Sequence, residues 1–268
     1  MAPAKTLEQA AAFVDRVGIA VIFPNADLVL PSLWEAVAGA RPLEWSLRDE
    51  EGKFVSFTPE FDTVWRWKDE LPERKLACAG KHLGRWVALV SPTLVAAVYS
   101  LVGRTGSPDD FRAAELPPLQ RELAEAVLEV GASSGPELRR LVGTADKRGV
   151  ERAIEALQRE LVLTGAGVVE QEHGWPAVRY DLFARRWRSR LRLLPTPEAA
   201  RALLARRVLA AAGEASAADL GAALGWRVKQ AAAVLQDLDG TGVAVSHDEE
   251  GIAVWSLRPH AADRSLRR

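Results

Sequence analysis

The sequence contains a single cysteine, Cys78, among its 268 residues. One cysteine cannot form an intramolecular disulfide, and it cannot supply the cysteine cluster of a structural zinc site. No apolar run approaches the roughly 20 residues that a membrane-spanning helix needs. The first residues also lack the basic and then apolar pattern of a secretory signal. We therefore expect a cytoplasmic protein that does not associate with a membrane.

The sequence also lacks a surplus of charge of either sign, with a formal net charge of -1. Hydrophobic residues make up 48% and charged residues 26%, as in ordinary globular proteins, and the length allows roughly two domains. Residues 1–110 contain 12 Lys and Arg against 15 Asp and Glu, a net -3, whereas residues 111–268 contain 23 against 21, a net +2. Any binding of nucleic acid must therefore come from local basic patches, and the second part of the chain is favoured.

The most informative stretch is Gly149–Leu182. Apolar residues recur at helical spacing over its first part, and two strands follow, joined by a polar turn at Glu172–Pro176. Two further helices are predicted upstream, at Pro118–Val130 and Pro136–Val142. Three helices followed by a two-stranded wing are typical of a winged helix-turn-helix, which places its third helix in the major groove of DNA. The same fold also serves as a protein-contact module, and that alternative stays open.

The same order of elements is predicted a second time, in residues 198–257. Helices are expected at Glu198–Ala211, Ala217–Leu224 and Trp226–Leu238, followed by two strands, so we interpret the two stretches as a tandem duplication. The Gly103–Asp110 stretch resembles a linker. The expected fold class is α+β, mainly α, with tandem winged helix-turn-helix domains and a smaller mixed α/β N-terminal domain. The expected boundaries are 1–110, 111–193 and 194–260, with a flexible tail at 261–268.

Two other stretches carry weaker expectations. Arg41–Thr58 is largely polar and is expected to be an irregular loop or a loose hairpin. Phe183–Leu193 is expected to be an arginine-rich helix. Its arginines either follow a phosphate backbone or cover apolar core surface with their aliphatic stems.

Basic and polar residues cluster where a winged helix meets DNA. In helix-turn-helix proteins the start of the third helix contacts bases and phosphates, and a wing can reach the minor groove. The alternative for each of these residues is an ordinary solvated surface. The candidate DNA-binding residues are Lys147, Arg148 and Arg152 in the first copy, Arg227, Lys229 and Gln230 in the second, and His173 at the tip of the wing.

The segment Phe61–Pro72 combines carboxylates with tryptophans. One interpretation is that a carboxylate activates water beside aromatic rings that stack a base. The other, which we favour, is a loop whose tryptophans pack on the core and whose charges are solvated. The candidate catalytic residues are Asp62, Asp69 and Glu70, and the candidate stacking residues are Trp65 and Trp67.

The sequence does not predict a metal or a cofactor. Cys78 and His82 are four residues apart, but no third ligand lies nearby. The sequence contains no glycine-rich phosphate loop and no hydrolase or metalloprotease signature. We therefore expect no metal site and no small-molecule cofactor.

Three stretches carry a resemblance to a known family. Residues 153–187 contain AIEALQRELVLTGAG and VRYDLFARRW, and residues 206–245 contain RRVLAAAGEASAADLGAALGW and AAAVLQDLDGTGVAV. These resemble the winged helices of the AlkZ/YcaQ-type DNA glycosylases of interstrand-crosslink repair, in which a Tyr-Asp-Leu signature ends the strand pair. Tyr180, Asp181 and Leu182 match that signature. In residues 1–110, the stretch LPSLWEAV and the stretch WKDELPERK resemble shorter AlkZ-related proteins.

The sequence departs from that family at one decisive point. The glycosylases carry a catalytic Gln-x-Gln pair near the start of their chain, and no Gln-x-Gln occurs here. Cleaving a glycosidic bond requires stabilisation of a cationic sugar, positioned water and a pocket for the extruded base. The resemblance therefore implies double-stranded DNA as the partner more strongly than it implies catalysis. We expect a non-catalytic DNA-binding protein. The alternatives are a repair glycosylase that uses an N-terminal carboxylate and a protein-interaction module.

Overall fold

A computed structural model describes residues 3–259, so the expected tail at 261–268 lies outside the described residues. The first part of the chain is built on a small antiparallel sheet in the order β1-β5-β4, with a separate β2-β3 hairpin. Its helices and strands are α1 (Leu7–Val17), β1 (Ile19–Val21), α2 (Leu33–Ala38), β2 (Ser46–Arg48), β3 (Phe54–Phe57), α3 (Pro59–Glu73), β4 (Cys78–Gly80), β5 (Ala88–Val90) and α4 (Val95–Ser100).

Two further units follow, and both have the order helix, strand, helix, helix, strand, strand. In each, the last strand lies between the other two, in the orders β6-β8-β7 and β10-β11-β9. The first unit comprises α5 (Pro118–Val130), β6 (Ser133–Ser134), α6 (Gly135–Leu141), α7 (Lys147–Arg159), β7 (Leu163–Val169) and β8 (Ala177–Leu182), with the short α8 (Phe183–Arg186) after it. The second comprises α9 (Pro197–Ala212), β9 (Glu214–Ser216), α10 (Ala217–Leu224), α11 (Val228–Gly240), β10 (Ala244–Glu249) and β11 (Ile252–Leu257).

The second helix of each unit begins with the same local device. The Glu137 carboxylate accepts a hydrogen bond of 2.7 Å from the backbone N–H of Ser134, and the Asp219 carboxylate accepts one of 2.9 Å from that of Ser216. The side chain of each serine accepts the reciprocal bond, which completes a capping box. These caps depend on residues three apart, so the starts of both helices follow directly from the local sequence.

Two expectations about local structure require correction. The segment Phe61–Pro72 is not a loop, because it lies inside α3, which Thr58 caps. The predicted arginine-rich helix at Phe183–Leu193 ends at Arg186. Beyond it, Trp187 and Leu191 are buried in the largest hydrophobic core and fix the path of the segment. The chain instead turns after Arg186. The Arg41–Thr58 stretch contains the β2-β3 hairpin, the second of the two forms expected for it.

The stretch predicted to be a linker is tied to the fold. The Asp110 carboxylate accepts hydrogen bonds of 2.7 Å from the Tyr99 hydroxyl and from the backbone N–H of Gly106. The guanidinium of Arg104 lies 3.7 Å from the same carboxylate, and both side chains are only 8% exposed. This stretch therefore connects the two parts of the chain without leaving them loosely joined.

The largest hydrophobic core draws on all three parts of the chain. Leu94 comes from the first part, Phe183 follows the first unit, and Leu204 and Leu235 come from the second unit, all within one buried cluster. Separate clusters lie around α1, α2 and α3 and inside the first unit. The first part and the second unit thus stabilise each other by burial of shared apolar surface.

Candidate functional site

The start of α7 presents three exposed basic side chains, Lys147, Arg148 and Arg152. The helix begins there because the carboxylate of Asp146 accepts a 2.8 Å hydrogen bond from the backbone N–H of Gly149. Lys147 lies 3.9 Å from the Glu151 carboxylate, whereas Arg148 and Arg152 form no ion pair within the described residues. Two guanidinium groups are thus free to meet an anion at this helix end.

The start of α11 has a similar character. Arg227 and Lys229 are exposed and form no ion pair among residues 3–259, and Gln230 is half-buried beside them. Just before this helix, Gly225 has φ +68°, and a Cβ added there would lie 3.0 Å from the backbone of Leu83. The start of α11 is therefore fixed against a loop of the first part of the chain.

The β7-β8 strand pair of the first unit packs against the first part of the chain. His173 lies in the exposed turn between β7 and β8. Two residues later, the Trp175 ring lies 5.6 Å from the Trp65 ring and 6.3 Å from the Phe57 ring, measured between centroids. These contacts continue through a chain of neighbouring rings along the β2-β3 hairpin and α3. These aromatic contacts hold the β7-β8 turn against the first part of the chain, while His173 stays exposed.

A cavity of about 330 Å³ lies where the first part of the chain meets the first unit. Trp65 and Asp69 of α3 line one side, and Gln158 of α7 and Tyr180 of β8 line the other. Its surface is mostly apolar, and its volume is near the lower end of the roughly 300–1,000 Å³ of small-ligand pockets. Burial raises the pKa of the Tyr180 hydroxyl, so this group stays protonated and can donate a hydrogen bond at neutral pH.

The structure separates the three candidate carboxylates. Only Asp69 lines the cavity, and its carboxylate lies 2.7 Å from the Lys68 ammonium. That ammonium lies 4.2 Å from the centre of the Trp65 ring, within cation–π distance. Glu70 faces Arg66 at 3.6 Å, and Asp62 is exposed near the start of the helix.

The two candidate tryptophans also differ. Trp65 is 36% exposed and lines the cavity, so part of its ring is available to a ligand. Trp67 is only 4% exposed and belongs to the core around α1 and α2. Its ring therefore offers no free face for stacking.

A buried hydrogen-bond network underlies the cavity, and sequence reasoning missed it. The Gln158 amide oxygen accepts a 3.1 Å hydrogen bond from the backbone N–H of Lys81, and the Gln158 carbonyl accepts one of 2.9 Å from Nδ1 of His82. His82 Nε2 lies 3.2 Å from the hydroxyl oxygen of Thr164, and that hydroxyl donates to the carbonyl of Ala79. One signal was present, since a glutamine four residues after Ile154 interrupts the apolar face of α7.

Cys78 belongs to the same network. Its sulfur lies 3.5 Å from the Thr164 hydroxyl, and burial raises the pKa of the thiol to about 12. Among the described residues no three His, Cys, Asp or Glu side chains come together as a metal site. Cys78 and His82 both contact the hydroxyl of Thr164.

Comparison with known proteins identifies the family. A model of the AlkZ-related family matches residues 4–225. The chain belongs to this family. The match includes the whole first part, the first unit and the cavity between them, whereas α11 and its two strands lie beyond it. The sequence-based resemblance to AlkZ-related proteins is thus confirmed, and it extends through residues 1–110.

A solved structure shares the fold of this AlkZ-related chain. The DNA glycosylase AlkZ of Streptomyces sahachiroi superposes with a TM-score of 0.55 at 18% sequence identity, over 97% of this chain and 66% of that chain. The chain thus spans slightly less than two thirds of the length of that protein. No curated protein matches this sequence. Within residues 3–259, no helix is both long and apolar enough to cross a membrane.

Proposed function

We propose that this chain is a non-catalytic protein that binds double-stranded DNA through the starts of α7 and α11. The observation that carries the proposal is the pair of exposed basic helix starts, with Arg148 and Arg152 on one and Arg227 and Lys229 on the other. Third helices of winged helix-turn-helix units dock in the major groove by this end. The fold shared with a DNA glycosylase supports the same partner.

The salt dependence of binding tests the proposal. Each phosphate of B-form DNA that a cationic side chain neutralises adds about 0.9 to the slope of log affinity against log salt. We therefore expect Arg148→Ala with Arg152→Ala to flatten the slope by about two units. Fluorescence anisotropy with a labelled duplex, between about 50 and 200 mM salt, measures this slope.

A matched control removes two positive charges from a surface away from α7. Lys5 before α1 and Arg16 within it are also exposed, so replacing both with Ala removes the same charge from another surface. Equal slopes for the two double variants would contradict direct contact at α7. Failure of the wild-type protein to bind any duplex would instead favour the protein-interaction alternative.

A second candidate function is base excision, and the position of Asp69 favours it over the other carboxylates. Asp69 lines a cavity with an aromatic wall, and a carboxylate can stabilise a cationic sugar or position water. Two features favour the non-catalytic proposal over it. The Lys68 ammonium lies 2.7 Å from the Asp69 carboxylate, and the sequence has no Gln-x-Gln pair.

An abasic-site assay on duplexes with alkylated or crosslinked bases separates the two functions. The non-catalytic proposal predicts no excision by the wild-type protein. Excision that is abolished in Asp69→Asn but kept in Asp62→Asn would overturn that proposal and identify Asp69 as the catalytic carboxylate. Asp62 is a suitable control because it is exposed on the same helix and does not line the cavity.

A further inference from the structure

A second cleft, of about 530 Å³, lies between the end of α3 and the segment that follows β8. Its lining is strongly basic and contains no acidic residue. The lining residues are Lys75, Arg185, Arg186, Arg188, Ser189 and Arg192. The cleft shares none of these residues with the apolar cavity and none with the starts of α7 and α11.

Two of these arginines are held by the fold. The Arg185 guanidinium lies 2.5 Å from the Asp181 carboxylate and donates a 3.1 Å hydrogen bond to the carbonyl of Leu128. Arg186 donates to the carbonyls of Pro72 and Glu73 at the end of α3. The bonds of Arg186 join the two walls of the cleft, whereas those of Arg185 hold it within the first unit.

The other three basic side chains that line the cleft are available to a ligand. Lys75, Arg188 and Arg192 are exposed, and none forms an ion pair within the part of the chain that the structure describes. Lys75 is positioned by a left-handed backbone, with φ 57°, and its N–H donates a 3.0 Å hydrogen bond to the carbonyl of Pro72. The rigid end of α3 therefore presents this lysine opposite the arginines.

The charge and geometry of the cleft indicate the chemistry of its ligand. Five cations line the cleft, and Asp181 is the one carboxylate within ion-pair distance of any of them in residues 3–259. Their mutual repulsion is relieved when an anion enters. Guanidinium groups bind phosphate oxygens with paired hydrogen bonds, and lysine adds a compact charge.

We propose that Lys75, Arg188 and Arg192 form a phosphate-binding site. The phosphate belongs either to the backbone of a nucleic acid or to a free inorganic phosphate or pyrophosphate. The first source rests on the proposed binding of DNA, whereas the second does not. In either case the site lies outside the third helices. If the phosphate belongs to DNA, the site adds a third contact surface to the two proposed there.

The chain offers a closely matched control for this site. Arg190 lies between Arg188 and Arg192 and is also exposed, but it does not line the cleft. The variants Arg188→Gln, Arg192→Gln and Arg190→Gln therefore remove the same charge from the same segment. Because all three side chains are exposed, we expect the variants to fold, and thermal unfolding checks this.

Two measurements on the full chain distinguish the phosphate sources. If the backbone binds here, Arg188→Gln and Arg192→Gln each flatten the salt slope of duplex binding by about one unit, and Arg190→Gln leaves it unchanged. If free phosphate binds here, titration calorimetry with pyrophosphate shows binding to the wild type and to Arg190→Gln, weakened in the two cleft variants. The site is refuted if neither ligand distinguishes the cleft variants from Arg190→Gln. The pyrophosphate titration stays informative even if the protein does not bind duplex DNA.

Discussion

The buried histidine beneath the cavity predicts a specific dependence of stability on pH. His82 is 7% exposed, and burial lowers the pKa of its imidazole to about 4, despite a hydrogen bond to the backbone carbonyl of Gln158 that partly opposes the shift. A carbonyl can only accept, so Nδ1 carries the proton that bonds to Gln158, and the ring is neutral in the fold.

The sign and size of the effect follow from the two pKa values. In the unfolded chain a histidine binds its proton below about pH 6.5, whereas in the fold His82 does so only near pH 4. Protons therefore favour the unfolded state as the pH falls through this window. Between about pH 7 and pH 5 the loss amounts to about 2 kcal/mol, at 1.36 kcal/mol per pKa unit.

Urea unfolding at several pH values measures this loss. The variant His82→Asn keeps a donor near the Gln158 carbonyl but cannot titrate, so we expect its free energy of unfolding to fall by about 2 kcal/mol less than that of the wild type over this range. His173→Asn controls for removal of an exposed histidine. If His82→Asn and the wild type lose the same stability between pH 7 and pH 5, His82 is not buried as a neutral ring and the reasoning is wrong.

Three further predictions concern Thr164 and Cys78 in the same network and Gly225 before α11. Thr164→Val should lower the free energy of unfolding by about 1–3 kcal/mol, because it leaves buried hydrogen-bonding partners unpaired; an unchanged urea midpoint would contradict this. Cys78 should react with a thiol reagent only after unfolding, since its thiol is buried with a pKa raised to about 12. Rapid labelling of the native protein would count against that burial. Gly225→Ala should destabilise more than Gly143→Ala: the two glycines have nearly the same φ, +68° and +67°, but only the first would bring a Cβ to 3.0 Å from Leu83. Equal decreases in stability would show that the backbone around Leu83 shifts to accommodate the added Cβ at no cost.

The elements that the sequence predicts well are those set by neighbouring residues. The second helices follow from serines three residues before a carboxylate, and the two third helices follow from their apolar spacing. Helix α3 has comparable signals in Thr58 as its cap, Pro59 in its first turn, and Val64, Trp67 and Leu71 on one buried face. The dense charges around the tryptophans obscure this periodicity, so the sequence alone favours a loop there.

The arginine-rich segment could not be predicted from local pattern. Its arginines suggest a long helix, but Trp187 and Leu191 are buried in the core that the first part shares with the second unit. Which of the arginines face outward depends on these anchors, and those depend on residues far away in sequence. Arg188 and Arg192 therefore line the cleft and Arg190 does not, a distinction that composition alone does not contain.

The cavity illustrates why a site assembled from distant segments is difficult to recognise in the sequence. Its walls come from α3, from the end of β4 and from α7 with β8, so no contiguous motif describes it. The sequence signal for the cavity is Gln158, a polar residue on the apolar face of α7. Its amide is buried because Lys81, 77 residues away, supplies a hydrogen-bond donor. Arg148 lies ten residues earlier on the same helix, roughly 15 Å along its axis. A ligand that fills the cavity therefore touches the same rigid helix whose start we propose to lie against DNA.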